Sequence, residues 1–445
     1  MVAASRFLGS VALLCFSLAA FAEERETLSD FEKGGLADQF VAVRQITLAR
    51  EPIAANAPAN GPAGHAVAAR TAGNAALFSK PLGLKKNLLN ASDIEFWVYR
   101  PAAEKDRAST IEVQFLEADA KARFWRKVDL DHVGWRKISL PLRWFQWGEG
   151  RIPRWDRVDR WGVLFRNRAE VQIDEVKLVR QADPDIALPQ PEDLRTLAFP
   201  MDAEKQSRLV SRGDILLATN APDLEVDKLA NHLLEVKKQV AAELQLPAAP
   251  PWPAPMIVFQ TRAEYEAFPP QLAAKLNGAA AAPRSTGYTI QGIATSFWDP
   301  QFGSLRPVYT HEFVHAILSR EVSLPNRNDW FQEGLAVHYQ LQFHPQADFG
   351  QIVRQGIADP AFRAPLAELA SGKAIQQNRY WQAATLVELL LKDKKYQPQF
   401  GPLIRALAES GSTDLGPQLP RLYKVDWEEL TTNWRKYCEA AYAPK

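Results

Sequence analysis

From about Ser29 to Arg180, apolar and polar positions alternate in short runs separated by turn residues. IEFWVYR (94–100), TIEVQFLE (110–117), RFWRKVDL (123–130), WRKISLPL (135–142), RWGVLFRN (160–167) and VQIDEVKLV (171–179) carry the pattern. Alternation with period two places every second side chain on one face of a strand. Short strands at close spacing, without helical periodicity, predict an all-β sandwich. ADPDIALPQPEDL (182–194) is rich in proline and polar residues and predicts a linker. Beyond it the period changes. DILLAT (214–219), MIVFQ (256–260) and GYTIQGIATSF (287–297) read as strands, and Val226 to Leu244 as an amphipathic helix. RAEYEAF reads as a short helical piece, and LNGAAAAPRST (276–286) as a loose loop. Tyr380 to Lys392, Gly401 to Glu409 and Asp426 to Ala441 read as helices. The expected layout is an N-terminal sandwich at 23–181, a linker at 182–206 and an α+β domain at 207–445, a small sheet followed by a helical body.

A chain of 445 residues fits two or three domains, and 47% hydrophobic with 24% charged residues is a globular composition. A net charge of +1 argues against a strongly basic nucleic-acid binder and against an acidic solvating tail. Residues 1–22 run from Arg6 through an apolar stretch, Phe7 to Ala20, to the small-x-small end Ala20-Phe21-Ala22. That pattern predicts a cleaved export signal, and hence a periplasmic or secreted protein without a lasting membrane span. Cys15 leaves with the signal, so Cys438 remains without an internal disulfide partner.

The strongest chemical signal is VYTHEFVHAIL (308–318). On a helix, residues four apart share a face, about 5–6 Å apart at their β-carbons. His311 and His315 can then present two imidazoles to one ion, with Glu312 beside them. A catalytic zinc keeps three protein ligands and an open position, so a third ligand is required. Asp329-Trp330-Phe331-Gln332-Glu333-Gly334-Leu335-Ala336 offers one. Asp329 can cap a second helix, with Gln332 closing a capping box, and Glu333 then sits in its first turn. A glycine at 334 removes a side chain where helices would crowd.

HEFVH, followed eighteen residues after His315 by Glu333 within WFQEGLA, resembles the gluzincin zinc metallopeptidases, the group of thermolysin and the zinc aminopeptidases. The resemblance spans roughly Ser207 to Cys438. It implies zinc held by His311, His315 and Glu333, Glu312 as general base, and a peptide or protein substrate. It also implies a tyrosine or histidine that stabilises the developing oxyanion: Tyr380 matches best by position and His338 is second. In that group a strand at the cleft edge pairs with the extended substrate, a role that falls here on Gly292, Ile293, Ala294 and Thr295. Two positions depart from the pattern. The strand lacks the acid with which aminopeptidases hold a free amine, and Val337 stands where thermolysin-like enzymes place an aspartate that orients a ligand histidine. Another group must therefore orient that imidazole.

Ser29-Asp30-Phe31-Glu32, FWVY, WRKISLPL and Gln172-Ile173-Asp174 resemble the jelly-roll, galactose-binding-like sandwiches of carbohydrate-binding modules. That resemblance implies a structural calcium site, for which Asp30, Glu32 and Asp174 are the matching carboxylates. Seven of the thirteen tryptophans lie in this half. They fill its core or, at Trp144 and Trp147, form a platform for a glycan or cell-wall ligand. Two rivals to a peptidase stay open: a glycan-binding protein with a degenerate metal domain, and a zinc hydrolase of non-peptide cell-wall amides.

Overall fold

A computed structural model describes residues 24–32, 34–83, 88–102, 110–119, 122–147, 151–180, 191–199, 207–213, 215–246, 254–275 and 280–444. The export signal expected at 1–22, most of the expected linker and part of the loop at 276–286 lie outside the described residues.

Two six-stranded antiparallel sheets make up the first half of the chain. One contains Glu24–Ser29, Ile46–Pro52, His65–Thr71, Ala91–Arg100, Gly134–Pro141 and Ala169–Arg180. The other contains Phe40–Val43, Ala75–Ser79, Thr110–Glu117, Arg123–Asp129, Gln146–Trp147 and Val158–Phe165. The alternation seen in the sequence faces the space between the sheets. Ile94, Phe96 and Val98 are buried while Glu95, Trp97 and Tyr99 between them are half-buried. Trp155 and Trp161 are core residues, and Trp155 stacks on Phe124 with ring centroids 3.8 Å apart. The expected sandwich is present, with strands at 24–29, 40–43, 46–52, 65–71 and 75–79 that the sequence pattern did not single out.

The second half begins inside the expected linker. Helix α1 (Pro191–Ala198) lays Leu194, Leu197 and Ala198 against Leu216, Ala218, Ile257 and Phe259 of a sheet. Proline at its first position needs no amide partner there, so a proline-rich stretch is compatible with a helix start. The sheet contains β1 (Arg208–Arg212), β2 (Ile215–Thr219), β3 (Ala254–Phe259), β4 (Gly287–Ile290) and β5 (Ile293–Phe297), in the order β1-β2-β3-β5-β4. The central strands β2, β3 and β5 run parallel and are buried throughout, as strands covered on both faces must be. Helix α2 (Val226–Leu244) connects β2 to β3, and α3 (Arg262–Lys275) follows β3.

GYTIQGIATSF is therefore a hairpin and not one strand. Gln291 and Gly292 both have positive φ, at 50° and 67°. Two such residues form the tight turn whose twist matches antiparallel strands. Edge strand β4 then folds back along β5, pairing Thr289 with Ala294.

Helix α4 (Pro307–Arg320) shares one apolar core with the sheet, Phe313 and Ile317 lying in the same cluster as Met256 and Ala294. Helices α5 (Trp330–Phe343), α6 (Phe349–Ala358), α7 (Tyr380–Lys392), α8 (Phe400–Ser410) and α9 (Trp427–Ala441) complete the body. Gly334 is needed against α7: a Cβ there would lie 2.7 Å from the Ala383 carbonyl oxygen and 2.8 Å from Val387 Cγ2. No helix of the described residues is long and apolar enough to cross a membrane.

The sandwich seats on this second unit. Trp144 packs against the α1-covered face of the sheet. The Trp147 amide donates to Gln291 Oε1 at 3.3 Å, and the Arg320 guanidinium lies over the Trp147 ring, 6.0 Å from its centroid. Trp144 and Trp147 are therefore half-buried contacts between the two units, where the sequence reading expects exposed rings. The sequence shows an aromatic pair after a strand; only docking decides which surface it meets.

Candidate metal centre

Helix α4 places His311 and His315 on one face, and the first turn of α5 brings Glu333 to them. His311 Nε2 and His315 Nε2 are 3.2 Å apart, and Glu333 Oε2 and Oε1 lie 3.3 and 3.6 Å from them respectively. One ligand atom from each residue falls within 4.8 Å of the others, the only such convergence of three among the described residues. Glu333 Oε2 is buried and meets no donor in good hydrogen-bond geometry, although His311 and Tyr380 stand close to the carboxylate. Leaving such an atom unpaired is costly, and a cation between the three side chains would satisfy it. Burial works to raise the Glu333 carboxyl, but His315 and His311 outweigh it and hold the group below its ordinary value. The donors, two imidazole nitrogens and one carboxylate, are of the kind that a divalent metal ion takes.

The group that orients a ligand histidine is Gln332. Its Oε1 lies 3.0 Å from His315 Nδ1 while its Nε2 donates to the Leu324 and Pro325 carbonyls at 3.0 and 3.3 Å. Those two donations fix the amide, so its oxygen accepts from Nδ1–H and leaves the Nε2 lone pair facing the site. Asp329 does cap α5, accepting from the Phe331 and Gln332 amides at 3.0 and 3.2 Å. The reciprocal half of the capping box is absent because the Gln332 side chain turns to His315. The sequence signal for it was present at the residue preceding Glu333 and pointed to the wrong partner.

Glu312 is buried beside the triad. Burial pushes its carboxyl up to about 7, His315 and a hydrogen bond from Thr289 counteract this, and Glu333 adds to it. All four acidic and imidazole groups line a cleft of about 1350 Å³. Ser285 to Thr289, Tyr380 and Trp381 line it too. Phe302 and Phe362 also line the cleft and keep 53% and 47% of their surface exposed.

Of the two oxyanion candidates, Tyr380 reaches the site and His338 does not. The Tyr380 ring lies nearly parallel to that of His311 at 6.4 Å, and burial together with the Glu333 carboxylate raises its phenol above the ordinary value. His338 lines a separate cavity of about 280 Å³ and accepts from Gln342 Nε2 at 2.8 Å. It sits five residues past Glu333, which turns it away from the face of α5 that carries Glu333.

Burial pushes His338 down to about 4. The folded state then holds it neutral while the unfolded chain protonates it near 6.5. Its contribution to stability is present above pH 6.5 and is lost as pH falls from 6.5 toward 4, by about 1.4 kcal/mol per pH unit. His338→Gln keeps an acceptor for Gln342 and removes the titration. Urea unfolding between pH 7 and 5 should show the smaller pH slope in the variant; equal slopes would contradict a neutral buried His338.

The strand segment Gly292–Thr295 does not border the cleft. Ile293 to Thr295 are paired with β4 on one side, and Ala294 and Thr295 with β3 on the other. The hairpin puts Gly287 to Thr289 of β4 at the edge in their place. In the sandwich, Asp30, Glu32 and Asp174 are near enough for the first two to raise the third, but their ligand atoms do not fall within 4.8 Å of one another. The Asp30 carboxylate accepts from the Glu32 amide, and Glu32 accepts from the His65 amide at 2.8 Å. Asp174 is buried with Oδ1 unpaired, and burial, then Glu175, Glu32 and Asp30, push it up to about 7.

No family model and no curated protein matches the chain. Among solved structures, a family 11 carbohydrate-binding module of a Clostridium thermocellum cellulosomal cellulase matches at 12% identity and a TM-score of 0.27, covering 36% of this chain and 96% of the module. A family 11 module from Clostridium thermocellum in complex with a β-1,3-1,4-mixed-linked tetrasaccharide matches at 15% identity and 0.27, covering 35% and 94%. An exo-β-agarase matches at 12% identity and 0.29, covering 49% of this chain and 30% of the agarase. Scores this low leave function to the residues themselves.

Proposed function

We propose that the chain is a zinc-dependent hydrolase that cuts peptide bonds in the cleft between β4 and α7. The observation that carries the reading is the convergence of His311, His315 and Glu333 in the lining of that cleft, with Glu312 buried beside them. Zinc in such a site lowers the pKa of water to about 7 and polarises a carbonyl oxygen. Glu312, raised toward neutrality, is suited to take a proton from the attacking water and hand it to the leaving nitrogen. The Tyr380 phenol, kept protonated, is suited to donate to the carbonyl oxygen as it gains charge. The unpaired edge of β4 offers main-chain donors and acceptors to an extended substrate. Export, which rests on residues 1–22, belongs to the same proposal.

The test is a substrate screen on protein purified with zinc, stripped by chelator and reloaded. Cleavage of peptides that vanishes on stripping and returns with zinc supports the reading. Hydrolysis of cell-wall amides alone would move the activity to a non-peptide substrate. Full zinc loading with no hydrolysis, alongside glycan retention by the sandwich, would favour a binding protein.

A further inference from the structure

Strand β4 does more than wall the cleft. Thr289 Oγ1 lies 2.9 Å from Glu312 Oε2 and 3.0 Å from the Glu312 main-chain oxygen. Among the described residues it is the hydrogen-bond donor to that carboxylate. Gly287, two residues earlier, shares its face of the strand. A Cβ at Gly287 would stand 2.7 Å from Glu312 Cγ and 2.9 Å from Oε1. The glycine lets the strand lie flat against the Glu312 side chain, and the threonine fixes the carboxylate's direction.

The hairpin is itself held by α4. Arg320, about two turns beyond Glu312, donates from Nε to the Gly292 oxygen and from Nη2 to the Gln291 oxygen, both at 3.0 Å. One helix thus grips the strand and the turn that follows it, and the strand in return aims the carboxylate.

We propose that Thr289 is the positioning residue for Glu312, an assignment that rests on Glu312 acting as the base. A base must sit within hydrogen-bond reach of the proton it takes, and a misplacement of about 1 Å costs on the order of a hundredfold in rate. Thr289→Val keeps the side-chain shape and removes the hydroxyl. Its kcat should fall on the order of ten- to a hundredfold, with KM and zinc content unchanged, and Thr289→Ser should restore most of it. In a Glu312→Gln background, Thr289→Val should add little further loss, because the two side chains act as a unit.

A kcat within twofold of wild type would overturn the assignment. So would a raised KM at unchanged kcat, which would make Thr289 a substrate contact. Crystal structures of the metal-free wild type and Thr289→Val give a readout independent of turnover. One ordered Glu312 conformer in the wild type and several in the variant are expected; the same single conformer in both would overturn the proposal. If the wild type hydrolyses nothing, the peptidase reading fails, and the crystal comparison still decides whether Thr289 positions Glu312.

Discussion

Replacing Glu333 by alanine is expected to empty the metal centre. Elemental analysis of purified protein should fall from about one zinc per chain to below about a tenth of that. Two histidines from one helix remain, but the third ligand and the only formal negative charge among the three are gone. The carboxylate contacts the two ligand histidines and Tyr380, so its removal touches the site and not the apolar packing of the fold. Zinc loss in the variant should therefore come with secondary structure close to wild type by circular dichroism. Wild-type zinc affinity in Glu333→Ala would remove Glu333 from the ligand set.

Glu312→Gln is expected to separate metal binding from chemistry. The amide occupies the same volume and can still accept from Thr289, but it cannot take a proton. Loss of a positioned general base costs on the order of a hundred- to ten-thousandfold. Steady-state kinetics should show that loss in kcat with KM nearly unchanged, and zinc content should stay at the wild-type level. Undiminished turnover would place the base elsewhere in the cleft.

What the sequence made legible follows the range of each interaction. His311 and His315 are four apart on one helix, so their common face is a local fact. The long helices at 226–244 and 380–392 were readable because an apolar period of 3.6 accumulates over several turns. Glu333 was readable only through the cap and turn residues around it. Gln332 and Thr289 are not legible in this way, because each acts across the fold: Gln332 has the spacing to close its own helix's cap but turns to His315, and Thr289 meets Glu312 through a hairpin. That hairpin was missed since Gln291-Gly292 is a weaker turn signal than Asn-Gly or Asp-Gly, and the apolar run continues on both sides. Once the turn is placed, the edge passes from Gly292–Thr295 to Gly287–Thr289. Trp144 and Trp147 show the same limit at larger scale, since part of their burial comes from a second unit further along the chain.

The seat of Trp147 against Gln291 and Arg320 bears on how this chain can be cut and rebuilt. A module joined only by a tether can be moved between proteins without disturbing its host. Here the sandwich covers the guanidinium that pins the hairpin turn, and Trp144 covers part of the sheet. Removing the sandwich would expose Gln291, the Arg320 guanidinium and the part of the sheet that Trp144 covers. The sandwich thus contributes contacts to the metal-bearing half, and shortening this protein to that half would uncover those surfaces along with the Gln291-Gly292 turn.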